Sequence, residues 1–437
     1  MTAPLLAYYG DDLTGSTDVM EALELRGVST VLFTGIPTAA QASGFSGRAA
    51  VGIAGTSRSQ PPAWMDANLP PVFKWMKGLG AALCHYKICS TFDSSPAIGS
   101  IGRALDIGAE IFGQASTPLV VGAPELKRYT AFGNLFAAYR GENFRIDRHP
   151  VMSRHPMTPM DEGDLRLHLA RQTHKSTGLV DVVRLRRAAP DEEVDTIFDA
   201  HDVVLLDVID EETKAAVGRH LWRRRDASPF VVGSSGVEYA LTATASGTPV
   251  SGGEKAFPPP GSRGPVAAVS GSCSATTERQ IAHAIKNGFD GIAVDAARLI
   301  SSNADADAEV ERAVELGSRV LASGRSPIIY TALGPASDLG AAVAVGGHRI
   351  GNALGRMLAM LVERHDLGRA IVAGGDTSSH AMAELGIYAL ECCMPLPQSP
   401  GSPLCKAFRS AGSRPLEVAF KGGQVGLDDY FVLARDI

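Results

Sequence analysis

Leu5-Leu6-Ala7-Tyr8-Tyr9 runs directly into Gly10-Asp11-Asp12-Leu13-Thr14-Gly15-Ser16-Thr17-Asp18, and then into a helix-forming stretch, Val19–Arg26. An apolar run of strand length stops at a glycine, carboxylates and hydroxyls crowd the turn, and a helix follows. The same rhythm recurs along the chain. In the first half the apolar runs are Leu5–Tyr9, Ala49–Ala54, Tyr86–Cys89, Leu119–Val121, Val203–Leu206 and Phe230–Val232. In the second they are Val266–Val269, Gly291–Val294, Pro327–Thr331, Ala370–Ala373 and Leu416–Phe420. Short apolar strands alternating with helical stretches predict an α/β fold built on mainly parallel sheets with flanking helices. Ligand sites in such sheets lie beyond the C-terminal ends of the strands, so chemistry is expected where each run stops.

At 437 residues the chain is too long for a single core. Its one clear break is Ser246–Gly264, SGTPVSGGEKAFPPPGSRG, with three consecutive prolines that neither helix nor sheet accommodates. The predicted organisation is a domain over 1–245, a linker over 246–264 and a second domain over 265–437, with the active site in the cleft between the domains. Hydrophobic residues at 45% and charged residues at 20% are ordinary globular values. Lys+Arg at 41 against Asp+Glu at 47 gives a net charge of −6, without the basic footprint that nucleic acid requires. No stretch has the apolar length of a membrane helix, and the N-terminus lacks the features of a signal peptide. The six cysteines show no Cys-x-x-Cys pair or zinc spacing and read as free thiols. A cytoplasmic enzyme with a small-molecule partner, and neither nucleic acid nor membrane, fits these features. They leave the oligomeric state open.

Asp11 and Asp12 stand together in a tight turn at a strand end, where a carboxylate can accept a proton or hold Mg²⁺. Helix capping by Asp12 or Thr14 accounts for one residue of this cluster and not for its density. Arg58, after the second run, presents a fork suited to a carboxylate. The third run ends in Lys87-Ile88-Cys89-Ser90-Thr91-Phe92-Asp93-Ser94-Ser95-Pro96. Lys87, Ser90, Thr91 and Asp93 there would suit a polyhydroxylated ligand. A Pro-punctuated loop, Arg154–Met160, contains His155, which could face the same place.

Three strands of the second half end in glycine turns: Ser270-Gly271-Ser272-Cys273-Ser274, Gly374-Gly375-Asp376-Thr377-Ser378-Ser379 and Lys421-Gly422-Gly423-Gln424-Val425-Gly426. Glycines admit a polyphosphate close to backbone N–H groups, hydroxyls add donors, and helix N-termini favour negative charge. Three such turns in one domain point to a nucleotide. None is a Walker A loop, and no Gly-x-Gly-x-x-Gly occurs.

With these elements assembled, the sequence resembles the four-carbon acid sugar kinase family, once known only as a domain of unknown function. The stretches that carry the resemblance are Gly10–Asp18, Thr56–Arg58, Lys87–Thr91, His155–Met160, Ser270–Thr277, Gly374–Ser379 and Lys421–Gly426. It implies a sugar-acid-binding N-terminal domain and an ATP-binding C-terminal domain. It also implies γ-phosphoryl transfer to a terminal hydroxyl of a threonate, erythronate or 3-oxo-tetronate. Carried over, Asp11 or Asp12, Arg58 and Lys87 would face the acid sugar; Ser270 or Ser272, Gly375, Gly422 and Gly423 would face ATP. Within that scheme Asp12 is the first choice of base and Asp11 the second. Ser90, Thr91 and Asp93 complete the substrate side. Gly374, Asp376, Thr377, Lys421 and Gln424 complete the nucleotide side, with Asp376 a candidate ligand of Mg²⁺ and Lys421 a screen for the phosphates. Closure about the linker would expel water from the reaction. Phe92-Asp93 departs from the family, many of whose members carry an Arg-Gly step there, so a larger or less anionic acid than the four-carbon ones comes into range. Two other readings keep some of these features: an ATP-dependent ligase activating the same carboxylate, and a non-catalytic sugar-acid sensor.

Overall fold

The structure, a computed structural model, describes residues 3–187, 190–243, 247–250, 253–334, 339–396, 398–410 and 412–437, and of 339–345 the backbone alone. Two compact units emerge: Met1–Val31 with Thr38–Lys255, and Leu32–Pro37 with Ala256–Ile437. Of the expected linker, residues 246, 251 and 252 lie outside the described residues; 253–264 form neither helix nor strand.

The N-terminal unit is built on strands β1 (Leu6–Gly10), β2 (Thr30–Phe33, whose last two residues belong to the other unit), β3 (Ala50–Ala54), β4 (Leu83–Lys87) and β5 (Thr117–Val120). After a small sheet of β6 (Arg128–Ala131), β7 (Asn134–Tyr139) and β8 (Glu142–Arg145), the unit continues with β9 (Thr177–Val180), β10 (Val203–Leu206) and β11 (Phe230–Gly233). Its main sheet has the order β3-β1-β4-β11-β5-β10-β9, every pair parallel. β1 is buried along its whole length, as a central strand covered on both faces must be. Two of its tyrosines are accommodated by glycines on or after β3. A Cβ at Gly52 would lie 2.1 Å from the Tyr8 ring, and one at Gly55 2.0 Å from that of Tyr9. Tyr9 stacks on Tyr86 of β4 at 5.8 Å, and Phe73 meets both edge-on. The small antiparallel sheet was not expected from sequence. Its hairpins turn at Phe132-Gly133 and Arg140-Gly141, all four residues at positive φ, without the Asn-Gly or Asp-Gly signal that normally marks such turns.

The C-terminal unit holds β12 (Ala267–Ser270), β13 (Phe289–Ala293), β14 (Ser326–Tyr330), β15 (Arg369–Ala373), β16 (Ile387–Met394), β17 (Leu404–Arg409) and β18 (Leu416–Lys421). Their order is β13-β14-β12-β15-β18-β17-β16. The first five are parallel; β17 runs antiparallel to both its neighbours. Leu32 and Phe33 pair antiparallel with Leu390 and Ala389 of β16. One face packs Ile281, Phe289, Ile371, Tyr430 and Phe431 into a core. Arg369 is fully buried yet fully used. It donates to Glu417 at 2.9 and 2.7 Å, to the carbonyls of Ala434, Arg435 and Ile437, and to that of Gly261. Removing one partner from such a buried pair costs about 3–5 kcal/mol. No helix among the described residues is long and apolar enough to cross a membrane.

Candidate functional site

In the N-terminal unit, β1, β3 and β4 are parallel neighbours whose last residues, Gly10, Ala54 and Lys87, stand in register. Backbone bonds join their exits: Asp11 N–H donates to the Lys87 carbonyl at 2.9 Å, Gly55 N–H to that of Gly10 at 2.9 Å, and Arg58 N–H to that of Asp11 at 3.1 Å. Asp11, Asp12, Arg58 and Lys87 thus arrive at one place because their strands do.

Asp12 is extended and caps the helix Leu13–Leu25, its Oδ1 accepting from Gly15 N–H at 2.6 Å. Its Oδ2 accepts from Arg58 Nη1 at 2.8 Å. The other arm of Arg58, Nη2, donates to both oxygens of Asp93 at 3.0 and 2.9 Å. Asp93 also accepts from the hydroxyls of Thr91 and, at 3.3 Å, Thr158. His155 in turn lies against Thr158, its Nδ1 accepting from the Thr158 N–H at 3.2 Å and 3.0 Å from Oγ1. The turn that swings Asp93 back onto Arg58 is Phe92, buried and at φ 56°, a left-handed conformation that a non-glycine residue adopts at a cost. Arg58, burial notwithstanding, is raised well above its usual pKa by the acidic groups around it, Cys89, Asp93 and Asp12 foremost. The same guanidinium, with the Thr91 hydroxyl, keeps Asp93 below the usual carboxylate range in spite of its burial.

Asp11 differs. It is buried, its Oδ1 has no hydrogen-bond partner, and its pKa is pushed up to about 7, first by burial and then by the Asp12 charge. Lys87 is buried as well. Burial disfavours its charge, but Asp18, Asp11 and Asp12 outweigh that and leave its pKa raised. Asp18, buried and itself raised by desolvation, accepts from the Ser235 hydroxyl. Ser90 is half-buried on the same loop and makes no side-chain hydrogen bond to the cluster among the described residues. Sequence reading left out Thr158 and Ser235. Each lies far along the chain from its partner; only the His155–Met160 motif hinted at Thr158.

The C-terminal unit gathers its glycine turns in the same manner. Ser270, Ala373 and Lys421 end β12, β15 and β18 in register. Gly271 N–H donates to the Ala373 carbonyl at 3.2 Å, and Gly374 N–H to that of Lys421 at 2.9 Å. Gly374, at φ 113°, needs to be glycine. A Cβ on Gly271 would meet Thr377 Oγ1 at 2.3 Å, and one on Gly423 would meet Ser272 Oγ at 2.7 Å. Around Gly375 nothing lies within 4 Å of an added Cβ. Ser274 caps the helix Ala275–Lys286 and also donates to the Gly423 carbonyl. Thr277 Oγ1 lies 3.1 Å from Ser272 Oγ and 2.9 Å from the Gly423 carbonyl, and accepts from Lys421 Nζ at 3.0 Å. Ser270, Ser272, Gly374, Thr377, Lys421 and Gly423 therefore form one cradle, with Gly422 on its rim. Asp376 and Gln424 are exposed beside it. The helix Gly375–Glu384 has no side-chain cap, leaving its first N–H groups unused by one. Burial alone brings Lys421 down to about 7.

Residues 6–241 match the model of a sugar-binding N-terminal domain, and 267–431 that of a nucleotide-binding C-terminal domain. The chain is 44% identical to a 3-oxo-isoapionate kinase of Paraburkholderia graminis, over 99% of this chain and 94% of that one. It is 31% identical to a 3-oxo-tetronate kinase of Methylobacterium radiotolerans, over 99% of both. Among solved structures it resembles a Salmonella typhimurium LT2 protein provisionally described as a tRNA synthase, with a TM-score of 0.78, 26% identity and 98% of each chain covered. It also resembles the Haemophilus influenzae protein HI1011, with a TM-score of 0.70, 25% identity and the same coverage.

Proposed function

The chain belongs to the four-carbon acid sugar kinase family, and from that premise we propose how its residues move a phosphoryl group from ATP to a hydroxyl of a 3-oxo sugar acid. The chain is an ATP-dependent kinase acting on a sugar acid. The acceptor proposed is an acid of the 3-oxo-isoapionate or 3-oxo-tetronate kind, and the place of action the cytoplasm. The 44% identity to a kinase named for isoapionate, and the Phe92-Asp93 step, favour the first of the two acids.

The observation that carries the mechanism is Asp11, buried beside charged neighbours with an unpartnered oxygen and a pKa of about 7. A base works best when its pKa lies near the working pH. Asp11 takes the proton of the attacking hydroxyl. Asp12, the sequence's first choice, has both oxygens engaged, by Gly15 N–H and by Arg58, and so serves to orient Arg58. Arg58 and Lys87 supply positive charge for the acid's carboxylate and hydroxyls, with Ser90 and Thr91 as hydroxyl partners. On the nucleotide side the cradle of Ser270, Ser272, Gly374, Gly375, Thr377, Gly422 and Gly423, with Gln424 beside it, receives the phosphates. Asp376 is the residue proposed to hold Mg²⁺. A single exposed carboxylate, with no cluster of three metal-binding side chains among the described residues, suits an ion bound mostly through phosphates and water. When bound, Mg²⁺ would neutralise charge on the transferring group.

The test is ADP release with a panel containing 3-oxo-isoapionate, 3-oxo-tetronates and the unoxidised tetronates. Turnover is expected with the 3-oxo acids and greatest with the isoapionate. AMP as the product would replace phosphoryl transfer with carboxylate activation, and ATP turnover indifferent to every acid would remove the substrate assignment.

A further inference from the structure

Lys421 is fully buried, yet its only side-chain hydrogen bond among the described residues goes to a neutral hydroxyl, Thr277 Oγ1, at 3.0 Å. It lies beneath the cradle, with the Tyr430 ring 5.9 Å from Nζ. No carboxylate among the described residues stands within ion-pair distance of it. On its own strand Glu417 pairs with Arg369 and Arg263. The helix Ala275–Lys286 brings Glu278, and Arg279 bound to Asp428. The helix Gly375–Glu384 brings Asp376, exposed in its first turn, with His380 and Glu384 further along. Arg369 on β15, Lys406 on β17 and Arg435 on the last helix are positive; of that helix's carboxylates, Asp436 pairs with Arg435 and Asp429 stands half-buried at its start. A buried ammonium with no counter-anion is expensive, and the usual escape is loss of its proton.

Resting on the nucleotide reading of the cradle, we propose that Lys421 is a positioning residue that is neutral while the cradle holds no anion and takes up a proton from solvent when a polyphosphate binds above it. The arriving phosphates are the counter-charge that the protein does not supply. Depression of the lysine to about 7 by burial, with no charged neighbour contributing, accords with this. The chemistry is one protonation, amine plus solvent proton giving ammonium. Its consequence passes through Thr277. A neutral amine can accept the Thr277 proton, whereas an ammonium can only donate. Once Lys421 is charged, Thr277 must direct its hydroxyl proton to the Gly423 carbonyl at 2.9 Å or to Ser272 Oγ at 3.1 Å, which fixes the hydroxyl layer that faces the phosphates.

Calorimetric titration of the full chain with ATP and Mg²⁺, in buffers of different ionisation enthalpy, counts the protons exchanged. At about pH 8, where the phosphates of ATP are already ionised, uptake of roughly 0.9 proton per ATP is expected from a lysine titrating near 7. Adenosine, lacking phosphate, should drive no uptake. Lys421→Arg keeps a positive charge at every working pH and should bind ATP with the uptake lost; Lys421→Met should bind more weakly, also without uptake. Wild-type protein that binds ATP with no buffer-dependent heat would overturn the proposal, as would full uptake in Lys421→Arg. Should the wild type bind no ATP at all, it is the nucleotide reading that falls.

Discussion

In the N-terminal cluster Arg58 is shared between Asp12 and Asp93, and Lys87 sits among Asp11, Asp12 and Asp18. In the C-terminal cradle Lys421 meets a threonine hydroxyl and a tyrosine ring, and the remaining groups are glycines, serines and threonines. Both are built from three neighbouring parallel strand ends, so the difference does not come from the fold. It lies in where the counter-charge is kept. A cluster that pairs its own ions is fixed in geometry before any ligand arrives, which suits orienting a hydroxyl for attack. A cradle whose cation is unmatched reserves its electrostatics for a ligand that brings negative charge. The first should govern turnover and acid selectivity; the second should govern nucleotide affinity.

The largest expected effect tests that division. Asp11→Asn should lower kcat by about 10²–10⁴ while leaving ATP affinity as it was. An equal loss of ATP affinity would mean that the two clusters do not divide the work. The pH profile sharpens the same point. Asp11 is raised chiefly by burial and next by Asp12, and a base must be ionised to act. In the wild type kcat/KM for the acid should therefore fall as pH drops through about 7. Asp12→Asn removes the neighbouring charge and should shift that limb to lower pH.

Gly375→Val comes next. Because an added Cβ meets no protein atom within 4 Å, the melting temperature should hold, and any penalty should fall on the ligand. KM for ATP should rise about thirtyfold, roughly 2 kcal/mol, with KM for the acid unmoved. An unchanged ATP KM would place the phosphates away from this turn. Gly423 is a poorer probe, since its Cβ would strike Ser272 Oγ within the cradle itself.

Two smaller effects probe the scaffold of Arg58. Asp93→Asn weakens a bidentate pair and should change the ratio of kcat/KM between competing acids by about tenfold, roughly 1.4 kcal/mol, with ATP parameters constant. Thr158→Val removes one 3.3 Å bond to Asp93 and should raise KM for the acid about threefold, with Thr158→Ser restoring it. Effects on ATP as large as those on the acid, in either variant, would break the comparison.

Central strands such as β1 and β15 were legible because residues covered on both faces form unbroken apolar runs. The strands missed were of another kind. β2 opens on Thr30, β9 carries Thr177 and Gly178, β16 and β17 carry Glu391 and Lys406 between apolar neighbours, and β6–β8 turn on Phe132 and Arg140. The site residues were legible as local clusters, since the chain itself places Asp11 and Asp12 after β1, or Gly422 and Gly423 after β18. What links the clusters was not. The Arg58–Asp93 pair and the Thr158–Asp93 bond join residues far apart in sequence. The order of Asp11 and Asp12 hinges on which oxygens Gly15 and Arg58 reach, a question of side-chain geometry alone. Likewise Gly375 and Gly423 are alike as letters, and only the space around each Cβ separates them.

The short passage Leu32–Pro37, which belongs to the C-terminal unit though it is encoded near the start, carries a consequence for the gene. The boundary between the units is crossed three times, after Val31, Pro37 and Lys255, so no single cut in the coding sequence yields both halves intact. A fragment beginning at Ala256 leaves Leu32 and Phe33 behind, and with them the main-chain partners of Ala389 and Leu390. Its β16 would then present an open edge, the kind of surface on which identical copies add strand to strand and precipitate. The complementary fragment ending at Lys255 would carry Leu32 and Phe33, buried in the whole chain, with nothing of their own unit to cover them. Exchange of nucleotide modules between relatives would therefore have to carry this early hexapeptide along with the C-terminal half.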